Sequence, residues 1–152
     1  MNYELNSDTQ TVLPIEGNSS KIMENGSPYV VNHSPIDVIE HSCEYFGSSY
    51  EGRKAGTQKL LGITHKSPII VEETRRLIFF PTKSPDRDDC VWINLSQVNK
   101  YYAINNHRSA IEFKNGDELE LDISIGSLTN QIMRASRLKF VLDERIKKEG
   151  NL

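Results

Sequence analysis

"SAIEFKNGDELELDIS" (Ser109–Ser124) is the stretch from which the fold can be read. Asn115-Gly116 is a strong hairpin turn, and alternating apolar residues flank it. Directly opposed residues of a hairpin share a face, so parity tests the register. A two-residue loop would set Phe113 against Glu118 and Ile111 against Glu120. A three-residue loop of Lys114, Asn115 and Gly116 sets Ile111 against Leu119 and keeps Leu121 and Ile123 on that face. The odd loop is expected, with Gly116 left-handed in a bulge.

After Gly126 the apolar period becomes helical. Ser127 is the expected N-cap of a helix near 127–149, and Gly150 lies just past its end. At about 100° per residue, Leu128, Ile132, Ala135, Leu142 and Ile146 form one stripe. Arg134, Arg137, Arg145 and Lys148 gather on another, with Val141 between. Upstream, "CVWINLSQVNKYYAI" (Cys90–Ile104) offers one or two strands, and "SPDRDD" (Ser84–Asp89) is a loop. "PIIVEE" (Pro68–Glu73) and "RLIFFPT" (Arg76–Thr82) are most simply a hairpin. "IDVIEHSCEYF" (Ile36–Phe46) reads as extended, and "YVV" (Tyr29–Val31) as a strand. Residues 1–28, rich in Asn, Ser, Gly and Glu, are expected to be loosely ordered or to form an edge strand. Pro14 confines "TVLPI" (Thr11–Ile15) to a sheet edge. Strands followed by a helix imply an α+β fold with a mainly antiparallel sheet, and residues 29–149 form one domain.

With 152 residues, 37% of them hydrophobic, and a mean hydropathy of −0.51, the chain has one domain's size and no run of membrane-spanning length. "MNYELNSDTQ" is no secretory signal, and two cysteines are too few for a disulfide framework, so a cytoplasmic protein is expected. The net charge of −3 hides an asymmetry. Before His41 stand Glu4, Asp8, Glu16, Glu24, Asp37 and Glu40 against Lys21 alone. Arg53–Lys66 and Arg134–Lys148 are net basic.

"EYFGSSYEGRKAGTQKLLG" (Glu44–Gly62) admits three readings. As a phosphate loop it fails, because Arg53 follows Gly52, Lys54 comes one place late, and Ala55 replaces the metal-binding hydroxyl. As a nucleophile elbow it fails because Glu51 stands where the second glycine belongs, and nothing in the spacing recommends a triad of Ser49 with His65 and an aspartate. As a capped helix near 48–61 it is well supported: Ser48 and Glu51 make a capping box and Gly62 is a C-cap. Gly52 and Gly56, one turn apart, each cost that helix about 1 kcal/mol. With Ser48 and Lys59 they form a strip without large side chains, against which either another element or a flat polyanion packs. His41-x-Cys43 has no partner pair for a metal, and Asp86, Asp88 and Asp89 lack the glycine and distal glutamate of a calcium loop. No catalytic residue, metal or cofactor is expected.

"YFGSSYEGRKAGT", "ITHKSPIIV", "IFFPTKSP", "CVWI", "FKNGDELELDIS" and "NQIMRASRLK" together resemble, in order and spacing, the ComK-type competence transcription factors of Gram-positive bacteria. The resemblance implies a DNA-binding activator of competence genes that binds AT-rich boxes as an oligomer of dimers, largely through the minor groove. Implied partners are AT-rich duplex, further copies of the chain and RNA polymerase. Longer relatives continue into a tail bound by a proteolytic adaptor. This chain ends at "KKEGNL", so regulation by that adaptor is not expected. Narrow minor grooves attract inserted cations, which ranks Arg53 and Lys54 first as DNA contacts, then Lys59 and Lys66, then Arg134 and Arg137. The competing reading is a paralogue that pairs with relatives without touching DNA.

Overall fold

The computed structural model describes residues 1–150, Glu149 by its backbone only. Three strands open the chain: β1 (Thr9–Ile15), β2 (Ser19–Glu24) and β3 (Ser27–Val31). Helices α1 (Pro35–Tyr45) and α2 (Tyr50–Leu61) follow, then β4 (Ile69–Glu72), β5 (Leu77–Pro81) and β6 (Trp92–Asn94). A 3-10 turn (Leu95–Gln97) leads into β7 (Val98–Ala103), β8 (Ser109–Phe113), β9 (Glu118–Leu121) and α3 (Ile125–Gly150). The first six strands form one antiparallel sheet in the order β3-β2-β1-β6-β5-β4, and the last three form a second.

The first sheet is sandwiched. Ile69, Val71, Leu77, Phe79 and Trp92 pack on one face with Val38, Ile39 and Cys43 of α1. Ile70, Ile78, Phe80 and Ile93 pack on the other, against Ile111, Phe113 and Leu121 of the second sheet and Leu128, Ile132, Ala135 and Leu138 of α3. Burial on both faces is why the apolar runs IIV in β4 and LIFFP in β5 are unbroken. The Pro68–Thr82 hairpin and the α+β class are as expected. So is the register at the turn. Ile111 opposes Leu119, Gly116 has φ +94°, and the Phe113 N–H donates to the Asp117 carbonyl at 2.8 Å.

Several expectations fail, each for a local reason. Ile36–Phe46 is helical, because the Ser34 hydroxyl accepts the Asp37 N–H and Pro35 occupies the first turn. Those features, with Val38, Ile39, Ser42 and Cys43 buried at helical spacing, outweigh its β-branched residues. Residues 1–28 supply β1, β2 and part of the core. Tyr3, Leu5, Val12 and Ile22 are buried core, and Ser42 Oγ accepts the Leu5 N–H at 3.0 Å. β1 is an interior strand, although β6 pairs it only at Thr11 and Val12, so Pro14 sits where that flank is open. α3 starts early, with Ser124 rather than Ser127 accepting the first N–H groups. Its apolar stripe leaves the core after Leu142, and Ile146 is 55% exposed.

Candidate nucleic-acid interface

α2 is capped by Ser49, not Ser48. The Ser49 hydroxyl accepts the Gly52 N–H at 3.0 Å, so the expected capping box is absent, and the cap and Glu51 already serve this helix end. At the other end Gly62 is left-handed, φ +66°, and its N–H donates to the Gln58 carbonyl. Leu60 and Leu61 pack against the α3 core. The two glycines differ in what the fold asks of them. A Cβ on Gly52 would lie 2.9 Å from Ser49 Oγ, so the cap explains that position, whereas one on Gly56 would meet nothing within 4 Å. The strip of Gly52, Gly56 and Lys59 is exposed.

The two adjacent cations of α2 point to different surroundings. Arg53 is only 20% exposed, its Nη1 donates to Glu73 Oε1 at 2.7 Å, and its buried Nε has no partner. It belongs to the joint between α2 and the β4–β5 turn. Lys54, 35% exposed, lies 3.2 Å from Glu51 Oε2 and 5.6 Å from the centre of the Tyr50 ring. Its side chain lines a cleft of about 470 Å³ together with Gln58, His65 and Lys66.

The loop between α2 and β4 is stitched to α3. Gln131, fully buried, donates through Nε2 to the carbonyls of Lys66 at 2.9 Å and Pro81 at 2.7 Å. Arg134 Nη1 donates to the His65 carbonyl at 2.9 Å and reaches Gln131 Oε1 at 3.3 Å. Lys66 itself is left-handed, φ +50°. These bonds bring His65, Lys66 and Arg134 together, and Lys54 lines the same cleft as His65 and Lys66. Lys59 stands on the outer face of α2 and Arg137 one turn beyond Arg134, both exposed.

Lys59, Lys66, Arg134 and Arg137 have no carboxylate within ion-pair distance among the described residues. The carboxylates that might have neutralised the α3 arginines are engaged elsewhere: Glu118 accepts from Tyr102, Glu120 from Arg108 and Asp122 from Lys83. The cleft also has an acidic rim of Glu40, Glu51 and Asp86. Burial, then Asp37, Glu44 and Glu51, push the Glu40 carboxyl up from its ordinary range. That rim repels phosphate and bounds the cationic surface on the α1 side.

Sequence reading missed Gln131 and His65. A signal existed, because Gln131 interrupts the apolar stripe of α3, where a buried amide must find partners. Cys43 and Cys90 are buried thiols, each pushed up to about 11 chiefly by burial. No group of three or more potential metal ligands occurs among the described residues, and no helix is long and apolar enough to cross a membrane.

The model of the ComK protein family matches residues 1–147. The chain is 40% identical over 147 residues to a competence transcription factor of Bacillus subtilis (strain 168), covering 95% of this chain and 77% of that protein. No solved structure matches it. With nearly the whole length of the chain matched, it belongs to the ComK family.

Proposed function

We propose that the protein is a DNA-binding transcriptional activator of competence genes, acting in the cytoplasm on AT-rich promoter duplex. The observation that carries this reading is the 40% identity to a protein named a competence transcription factor, extending over 95% of the chain. The contact surface proposed is Lys59, Lys66 and Arg134, with Lys54 at its margin. Those three cations have no carboxylate partner among the described residues, so phosphate need not displace one. Arg134 and Lys66 are held by backbone and buried-amide bonds, which lowers the ordering cost of binding. Lys59 shares an exposed, glycine-thinned face of α2 with Gly52 and Gly56, where a flat sugar–phosphate surface can come close. AT-rich duplex is favoured because its narrow minor groove concentrates negative potential. Arg53 contributes by holding α2 in place.

Fluorescence anisotropy on AT-rich and GC-rich duplexes at two salt concentrations tests the reading. Tighter binding to the AT-rich duplex that weakens with salt is expected. Equal binding to both duplexes, or none to either, overturns it.

A further inference from the structure

The outward side of α3 carries large apolar groups that no other described residue covers. Met133 is 61% exposed and Phe140 64% exposed. With Arg137 and Glu144 they recur at i, i+4, i+7 and i+11, the spacing of a helix-pairing seam. Arg137 and Glu144 are exposed, and neither makes an ion pair among the described residues. They cannot pair within one helix, since seven residues separate them by about 10.5 Å along its axis.

We propose that this face of α3 binds the same face of a second copy, the two helices crossing antiparallel near Phe140. The argument is symmetry. Arg137 and Glu144 lie equally far on either side of the Phe140–Val141 peptide. A two-fold axis there sets each copy's Arg137 beside the other's Glu144 and brings the two Phe140 rings together. One cation and one carboxylate therefore make two complementary contacts, as an isologous interface requires. Phe140 supplies the central apolar anchor, and Met133 meets the aliphatic stems of Lys147 and Lys148 from the other copy. Nucleic acid is a poor occupant, because Glu144 and two apolar side chains stand where phosphate would lie.

Sedimentation velocity on the full chain, without DNA, tests the proposal. Wild-type protein forms dimers at micromolar concentration, and Phe140→Asp weakens them at least about 30-fold. Arg137→Glu alone and Glu144→Arg alone each weaken self-association, because each sets like charges together at both contacts. An equimolar mixture of those two variants restores the dimer, since both contacts in the mixed pair become complementary. All three positions are on the surface, and unchanged thermal unfolding of each variant shows that folding is intact. A wild-type chain that stays monomeric, a Phe140→Asp variant that dimerises normally, or a mixture no better than its components would each overturn the assignment. A heterologous partner on this face would give the first of those results.

Discussion

Replacing Gly56 with alanine separates the needs of the fold from those of the ligand. Gly56 lies inside α2, and a Cβ built there meets no atom within 4 Å. Nothing in the folded chain opposes the extra methyl, so alanine recovers the helix-propensity difference of about 1 kcal/mol. For a domain of this size that raises Tm by about 2–4 °C. Gly52→Ala is the control. Its Cβ would press on Ser49 Oγ at 2.9 Å, and loss of the cap, costing about 1 kcal/mol, offsets the same gain. If Gly56 is kept small so that duplex can approach, the stabilised variant binds AT-rich DNA several-fold more weakly, about fivefold for roughly 1 kcal/mol of lost contact. The assay pairs thermal unfolding with anisotropy titration. An unchanged Tm would refute the packing argument. A raised Tm with undiminished affinity would refute the close approach.

Three further outcomes follow from the packing. Leu138→Ala, at a fully buried position between α3 and the sheet, lowers unfolding free energy by about 2–5 kcal/mol in urea titration, read from the emission of Trp92, the chain's one tryptophan. Arg53→Ala removes the half-buried partner of Glu73 and costs roughly 1 kcal/mol of stability, while the salt dependence of DNA binding stays unchanged. Cys43 and Cys90 resist a thiol reagent at pH 8 in the folded protein and react once it is unfolded. Their folded values of about 11 lie above the ordinary 9, so the native state binds more protons in between. Stability is therefore full below about pH 9 and falls as pH rises toward about 11.

The hairpin at Asn115-Gly116 was legible because a one-residue slip would have turned Ile111, Leu121 and Ile123 to solvent, so only one register buried them. α1 was not legible from its apolar residues, since Ile36, Val38 and Ile39 favour strands. Its signal was the Ser34-Pro35 start with Asp37 in the first turn. The order of the large sheet, which brings β1 beside β6 across some eighty residues of chain, left no local trace. At the site, the basic windows drew attention to α2 and α3, and the structure joins the two helices through the loop between α2 and β4. They did not distinguish Arg53 from Lys54, because the carboxylate that pairs with Arg53 lies twenty residues away on a different turn. Nor did they show that Gln131, an uncharged residue, positions Lys66.

The most direct measurement is the salt slope of AT-rich duplex binding for the triple variant Lys59→Gln, Lys66→Asn, Arg134→Gln. Asparagine is chosen at Lys66 because it tolerates the left-handed backbone there. If these three cations each neutralise one phosphate, the slope of log K against log salt becomes shallower by about 2.7. A folded triple variant with the wild-type slope would contradict the account.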